Sequence, residues 1–169
     1  ALNNTATTTY TFTPTAGQCA TTTTLSITVT PNVTPTFTAV APICSGTALA
    51  ALPTISTNGI TGTWSPVLNN TTTTTYTFTP TAGQCATTTT LSITVTPNVT
   101  PTFTAVAPIC SGASLSALPT TSTDGFTGSW SPALNNQDTT TYTFTPTAGQ
   151  CAINAELTIV VNSLVTPDF

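Results

Sequence analysis

The chain has 169 residues and a formal net charge of −4, with no Lys, Arg or His and only Asp124, Asp138, Glu156 and Asp168 as acidic residues. Without cations it cannot neutralise nucleic-acid phosphates or an anionic membrane surface, so neither is expected as a partner. Without His, and with every carboxylate in the final third, general acid–base catalysis, metal binding and cofactors are not expected, and the fifty threonine hydroxyls have no base to activate them.

The hydrophobic share of 38% is enough to build a core, unlike a disordered polar tract. The most apolar segment, LTIVVNSLV, is far shorter than the 18–20 residues needed to span a bilayer, and Asn162 and Ser163 interrupt it. Order along the chain comes from a repeat. TTTYTFTPTAGQCA recurs letter for letter at 7–20, 73–86 and 139–152, and residues 7–46 and 73–112 are identical. A period of 66 residues indicates an array of small modules. Setting the unit to begin at TPTF gives complete repeats at 34–99 and 100–165. Residues 1–33 are then the C-terminal half of a truncated repeat, and 166–169 the start of the next, so the chain is expected to be a window on a longer array.

Within a repeat, TPTFTAVAPI around Phe37 opens as a predicted strand. A short ALAALPT strand around Leu49 and Leu52 follows, then GITGTWSP with Trp64. Turn signals separate them at Ser45-Gly46, Asn58-Gly59 and Ala82-Gly83. TTTYTFTPT alternates with a period of two, which points Tyr76 and Phe78 inward and Thr75, Thr77 and Thr79 outward. Threonine suits that outer face, because its branched carbon fits a pleated strand and its hydroxyl is solvated.

The last strand is clearest in the final copy, CAINAELTIVV. There Ile153, Ala155, Leu157, Ile159 and Val161 alternate with polar or outward positions. The same pattern puts Leu91, Ile93 and Val95 in the core and Thr88 and Thr90 in water. Core residues are expected to be Trp64, Trp130, Tyr76, Tyr142, Phe78 and Phe144, with the tryptophan packed near a disulfide. No segment has helical periodicity. The fold class expected is all-β: tandem immunoglobulin-like β-sandwich domains in an extended rod. The joint TVTPNVTPTF should be short and stiff, because Pro97 and Pro101 restrict themselves and their predecessors.

Five cysteines leave one over. Each full unit has one in PICSG and one in AGQC, so Cys44–Cys85 and Cys110–Cys151 would give one bridge per repeat, with the partner of Cys19 upstream. Five buried free thiols, or a Cys19 bond to another chain, are the alternatives. Bridges imply an oxidising, extracytoplasmic compartment.

The combination of PICSG, LPT, GITGTWSP, LNN, TTTYTFTPTAGQCA and LSITV resembles the immunoglobulin-like repeats of very large Bacteroidetes cell-surface proteins. The SprB-like gliding-motility adhesins of flavobacteria, exported by type IX secretion, are of this kind. The resemblance spans essentially the whole chain. It implies a surface filament whose tandem domains hold an adhesive tip away from the cell; neighbouring repeats of the same chain are the expected partners, and uncharged threonine faces leave room for other copies in a filament bundle without demanding them. Asp138-Thr139-Thr140 also resembles the short O-glycosylation motif of that phylum, with Thr139 as acceptor; an ordinary loop aspartate is the alternative. Asn-x-Thr triplets at Asn3, Asn32, Asn69, Asn70 and Asn98 are expected by chance in so threonine-rich a chain.

The leading expectation is therefore a structural stalk of a giant extracellular adhesin. A noncovalently assembled fibre of short subunits, such as a pilus or sheath, is the second. A glycan- or ice-binding module is the third, disfavoured because sheets twist rather than present a flat threonine array.

Overall fold

The structure, a computed structural model, describes residues 2 and 5–165; the expected opening of a further repeat at 166–169 lies outside them. Among the described residues the secondary structure is strand, turn and irregular chain, with no helix. The chain forms two compact units that interleave in sequence. One comprises Ala1–Ala39, Ala51–Leu68 and Thr75–Ser92, the other Val40–Ala50, Asn69–Thr74 and Ile93–Phe169.

In the first unit, β1 (Thr8–Phe12) and β2 (Thr23–Ile27) form an antiparallel pair with Tyr10 opposite Leu25. A three-stranded sheet has the order β4 (Gly62–Ser65), β5 (Thr74–Pro80), β6 (Thr89–Ile93). Tyr76 and Phe78 on β5 are wholly buried, while Thr75 and Thr79 are exposed and Thr77 is half-buried. The alternation read from TTTYTFTPT is thus realised: bulky rings take the inner face and hydroxyls the outer one. On the outer face Thr75 Oγ1 reaches Ser92 Oγ at 3.3 Å.

Phe37 is packed edge-on against both Trp64 and Phe78, each at a centroid distance of 4.7 Å, and Trp64 lies 5.1 Å from Phe78. Such tilted and edge-to-face pairs are the favoured aromatic geometry. Trp64 is half-buried, and its Nε1–H donates to the Pro53 carbonyl at 2.9 Å. Gly62 makes this packing feasible, because a Cβ there would stand 2.6 Å from Phe78 Cζ.

The second unit repeats the plan. Its three-stranded antiparallel sheet has the order β9 (Gly128–Ser131), β10 (Thr140–Pro146), β11 (Ala155–Ile159), with Phe144 opposite both Trp130 and Ala155. Tyr142, Phe144 and Ile159 are fully buried, and Phe103, Trp130 and Phe144 form the same aromatic trio. Two short parallel pairs complete it: β3 (Ile43–Cys44) with β7 (Val95–Thr96), and β8 (Ile109–Cys110) with β12 (Val161–Asn162).

Three expectations need correction. TPTFTAVAPI does not form a long strand; only its last residue, Ile43 in the first repeat and Ile109 in the second, is paired as a strand. Pro35 and Pro42 have no N–H to give a ladder, and the segment is held instead by the Phe37 ring and by Thr36 Oγ1, 2.6 Å from Thr57 Oγ1. ALAALPT is likewise irregular, with only an isolated antiparallel bridge of Ile55 to Thr61 just beyond it. Ile153 is 48% exposed, because β11 starts only at Ala155.

Candidate functional site

The cysteines show how one repeat is joined to the next. AGQC is a turn in which Gly149 takes a φ of 90°, a backbone state open to glycine at little cost. Gln150 then locks the turn: its Oε1 accepts the Thr127 N–H at 2.9 Å, and its Nε2 donates to the Thr127 carbonyl at 2.8 Å. The amide side chain thereby satisfies both backbone groups of Thr127, as a neighbouring strand would. Cys151 follows with a φ of 49°, the only non-glycine residue among the described residues at positive φ.

The linker of the preceding repeat runs past this turn. The Val99 N–H donates to the Cys151 carbonyl at 3.0 Å, and the Ile153 N–H donates to the Val99 carbonyl at 2.9 Å. A few residues earlier the same linker is β7, whose neighbour is β3. The Ile43 N–H donates to the Thr94 carbonyl at 3.1 Å, the Ser45 N–H to the Thr96 carbonyl at 2.9 Å, and Asn98 Nδ2 to the Ser45 carbonyl at 3.0 Å. One strand of linker therefore carries PICSG of its own repeat and AGQC of the following one.

Cys44 and Cys151 meet there in a disulfide, with Cα atoms 4.9 Å apart and a sequence separation of 107. Cys19, Cys85 and Cys110 are exposed free thiols. The expected pairs Cys44–Cys85 and Cys110–Cys151 are thus replaced by a bond between repeats. The cause is where each cysteine is held. Cys110 lies opposite Asn162, at the C-terminal end of its own repeat, whereas Cys151 lies against Val99, on the linker that closes the preceding repeat.

A groove of about 600 Å³ borders the joint, lined among others by Pro42, Ser45, Gly46, Asn98, Pro146 and Ala148. Its lining contains no carboxylate, and the chain has no Lys, Arg or His to add charge. No group of three or more metal-ligating side chains occurs among the described residues. Nor is any helix there long and apolar enough to cross a membrane.

The remaining candidate residues make packing and hydrogen-bond contacts. Tyr142 Oη accepts the Asn135 N–H at 2.9 Å and donates to the Asn135 carbonyl at 3.2 Å, tying the start of β10 to the chain seven residues upstream. Trp130 has Phe103 and Phe144 as its ring neighbours, and its Nε1–H donates to the Pro119 carbonyl. Thr139 is exposed, but its Oγ1 accepts the Val161 N–H at 2.9 Å and lies 3.4 Å from the Val161 carbonyl. Thr73 makes the same clamp on Val95, and Thr7 on Val29.

Asn98 was singled out from the sequence only as part of an Asn-x-Thr triplet, and Gln84 and Gln150 were not singled out at all. The verbatim recurrence of AGQ before each cysteine is the signal that carried them. The chain matches no protein-family model, and no curated protein matches it.

Proposed function

We propose that the chain is a run of structural spacer repeats from an extracellular adhesin or cell-surface filament, each repeat an immunoglobulin-like sandwich. The observation that carries this reading is the disulfide between successive repeats, placed at a joint whose groove is lined without a carboxylate. A disulfide also favours an oxidising compartment. The sandwich assignment draws on the β9-β10-β11 order, which matches a C-F-G sheet, and on the Tyr142 hydroxyl bonded to backbone a few residues upstream, like the tyrosine corner of that fold. The threonine-covered outer faces and the absence of any cation give the surface little to hold a ligand.

A fibre of separate subunits is the second reading, and one observation fits it as well as the first. Phe12 and Leu25 in residues 1–33 are 65% and 64% exposed, whereas Phe78, the equivalent of Phe12, is at 0%. That face needs cover, which a preceding repeat or a second copy could supply. The test is labelling of intact source cells with antibody to the repeats, together with the reduced mass of the polypeptide recognised. Surface labelling and a chain of several hundred kilodaltons are expected. Labelling only after permeabilisation would refute the proposal, and a reduced chain near 17 kDa would give the fibre of subunits.

A further inference from the structure

The bond between Cys44 and Cys151 spans one 66-residue period plus the 41 residues separating the two cysteines of a repeat. We infer that it is one member of a staggered series, in which the PICSG cysteine of every repeat bonds the AGQC cysteine of the next. Cys85 and Cys110 are then two open halves of the same joint. Cys85 awaits a PICSG cysteine from the repeat before it, and Cys110 an AGQC cysteine from the repeat after it. This goes beyond the spacer reading, because it concerns how any two consecutive repeats are fastened and stands whatever the array is for.

The two halves are already built. At Cys110, the Ile109 N–H donates to the Val160 carbonyl at 3.0 Å and the Ser111 N–H to the Asn162 carbonyl at 2.9 Å, repeating the bonds around Cys44. At Cys85, the Val33 N–H donates to the Cys85 carbonyl at 2.8 Å and the Thr87 N–H to the Val33 carbonyl at 3.0 Å, repeating those around Cys151. Gln84 locks its turn on Thr61 as Gln150 does on Thr127, with the same 2.9 and 2.8 Å contacts. Both thiols are exposed. Two differences stand out: Cys85 does not share the positive φ of Cys151, and Leu164 occupies the place of Asn98, so the joint at Cys110 lacks the amide bond to the PICSG carbonyl.

The bond forms by exchange with a small disulfide such as oxidised glutathione. The Cys110 thiolate attacks one sulfur and releases one glutathione thiol. The AGQC thiolate then attacks Cys110 Sγ in the mixed disulfide and releases the second. Two protein thiols are oxidised and one small disulfide is reduced to two thiols.

The test uses Cys19→Ala throughout, because Cys19 and Cys85 lie in identical stretches. The full chain is compared with a chain in which residues 1–165 are followed by a second copy of 100–165. Each cysteine-bearing fragment of the added copy is marked by one conservative substitution. Both chains are refolded in a glutathione redox buffer and cleaved with chymotrypsin without reduction, and the linked fragments are weighed. The expected result is a Cys44–Cys151 linkage in both chains, with Cys110 free in the first and bonded to the added AGQC cysteine in the second. A Cys110 that stays free, a Cys110–Cys151 bond, or closure of the added copy on its own two cysteines overturns the inference. So does absence of the Cys44–Cys151 linkage. A non-reducing gel separates the two sources of the partner: a reductant-sensitive dimer means that a second chain supplied it, monomer mobility that the same chain did.

Discussion

Replacing Tyr142 by Phe removes one oxygen and nothing else from a ring that is wholly buried. The hydroxyl makes two bonds to the backbone of Asn135, at 2.9 and 3.2 Å. A net intramolecular hydrogen bond contributes about 0.5–1.5 kcal/mol, and a buried group left unpaired costs about 1–3. Asn135 is half-buried, so water reaches part of what the hydroxyl satisfied, which places the loss for Tyr142→Phe at about 1–2 kcal/mol. For a domain of this size that corresponds to a Tm lower by roughly 4–16 °C. The assay is urea unfolding followed by Trp130 emission in a Trp64→Phe background, so that only the second repeat is seen. A Tyr142→Phe change below about 0.5 kcal/mol, inside the range of ordinary surface substitutions, would refute the claim that this hydroxyl ties the corner.

Gly128→Ala should destabilise the second repeat by about 1–3 kcal/mol in the same assay, because the new methyl group meets Phe144 Cζ at 2.6 Å in a packed trio. Acid should weaken the second repeat more than the first. The Ser122 hydroxyl chiefly, with the Thr102 N–H, holds the Asp124 carboxyl below the ordinary aspartate range. A folded-state pKa below the unfolded one gives stability that is present above the unfolded value and lost as pH falls through the folded one. Asp124→Asn should abolish that dependence, since Asn58 fills the equivalent place in the first repeat and does not titrate; an unchanged acid profile would contradict it. Thr139→Val should cost about 1 kcal/mol by freeing the Val161 N–H. Mass analysis of the fragment bearing Thr139 should find it unglycosylated, because a glycan on Oγ1 removes the hydroxyl proton of the clamp.

Local pattern carried the inner sheet faces into the sequence reading. Tyr142 and Phe144 alternate with threonine, and Ala155, Leu157 and Ile159 alternate with polar residues, so the period of two was enough to place them. Segments around Phe37 and Leu52 misled for the opposite reason. Phe37 is held by ring packing and Thr36 by a side-chain bond rather than by ladders, the Pro53 carbonyl beside Leu52 accepts the Trp64 Nε1–H, and proline removes donors that a strand there would need. The disulfide was illegible for a further reason. Spacing assigns one PICSG and one AGQC cysteine to each repeat, but copies with the same residues cannot encode which copy is the partner. That choice is made by the linker, which pairs with β3 through β7 and with the following AGQC turn through Val99.

Staggering the bonds also changes how such an array bears load. If each repeat closed on itself, tension would pass through one bond and then 25 residues of open chain for every 66, the distance from Cys19 to Cys44 and from Cys85 to Cys110. With bonds between repeats, each covalent step spans two periods and still leaves only 25 residues open, about 85 Å when fully extended. The length that can be drawn out is therefore halved. Consecutive bonds also overlap over the stretch from Cys110 to Cys151, so two covalent paths run side by side. In the chain-entropy account, closing 107 residues contributes about 5 kcal/mol against about 4 for a 41-residue loop. The gain in folding stability is thus small beside the gain in extensibility under force, and it is the mechanical effect that makes an inter-repeat joint suited to a spacer.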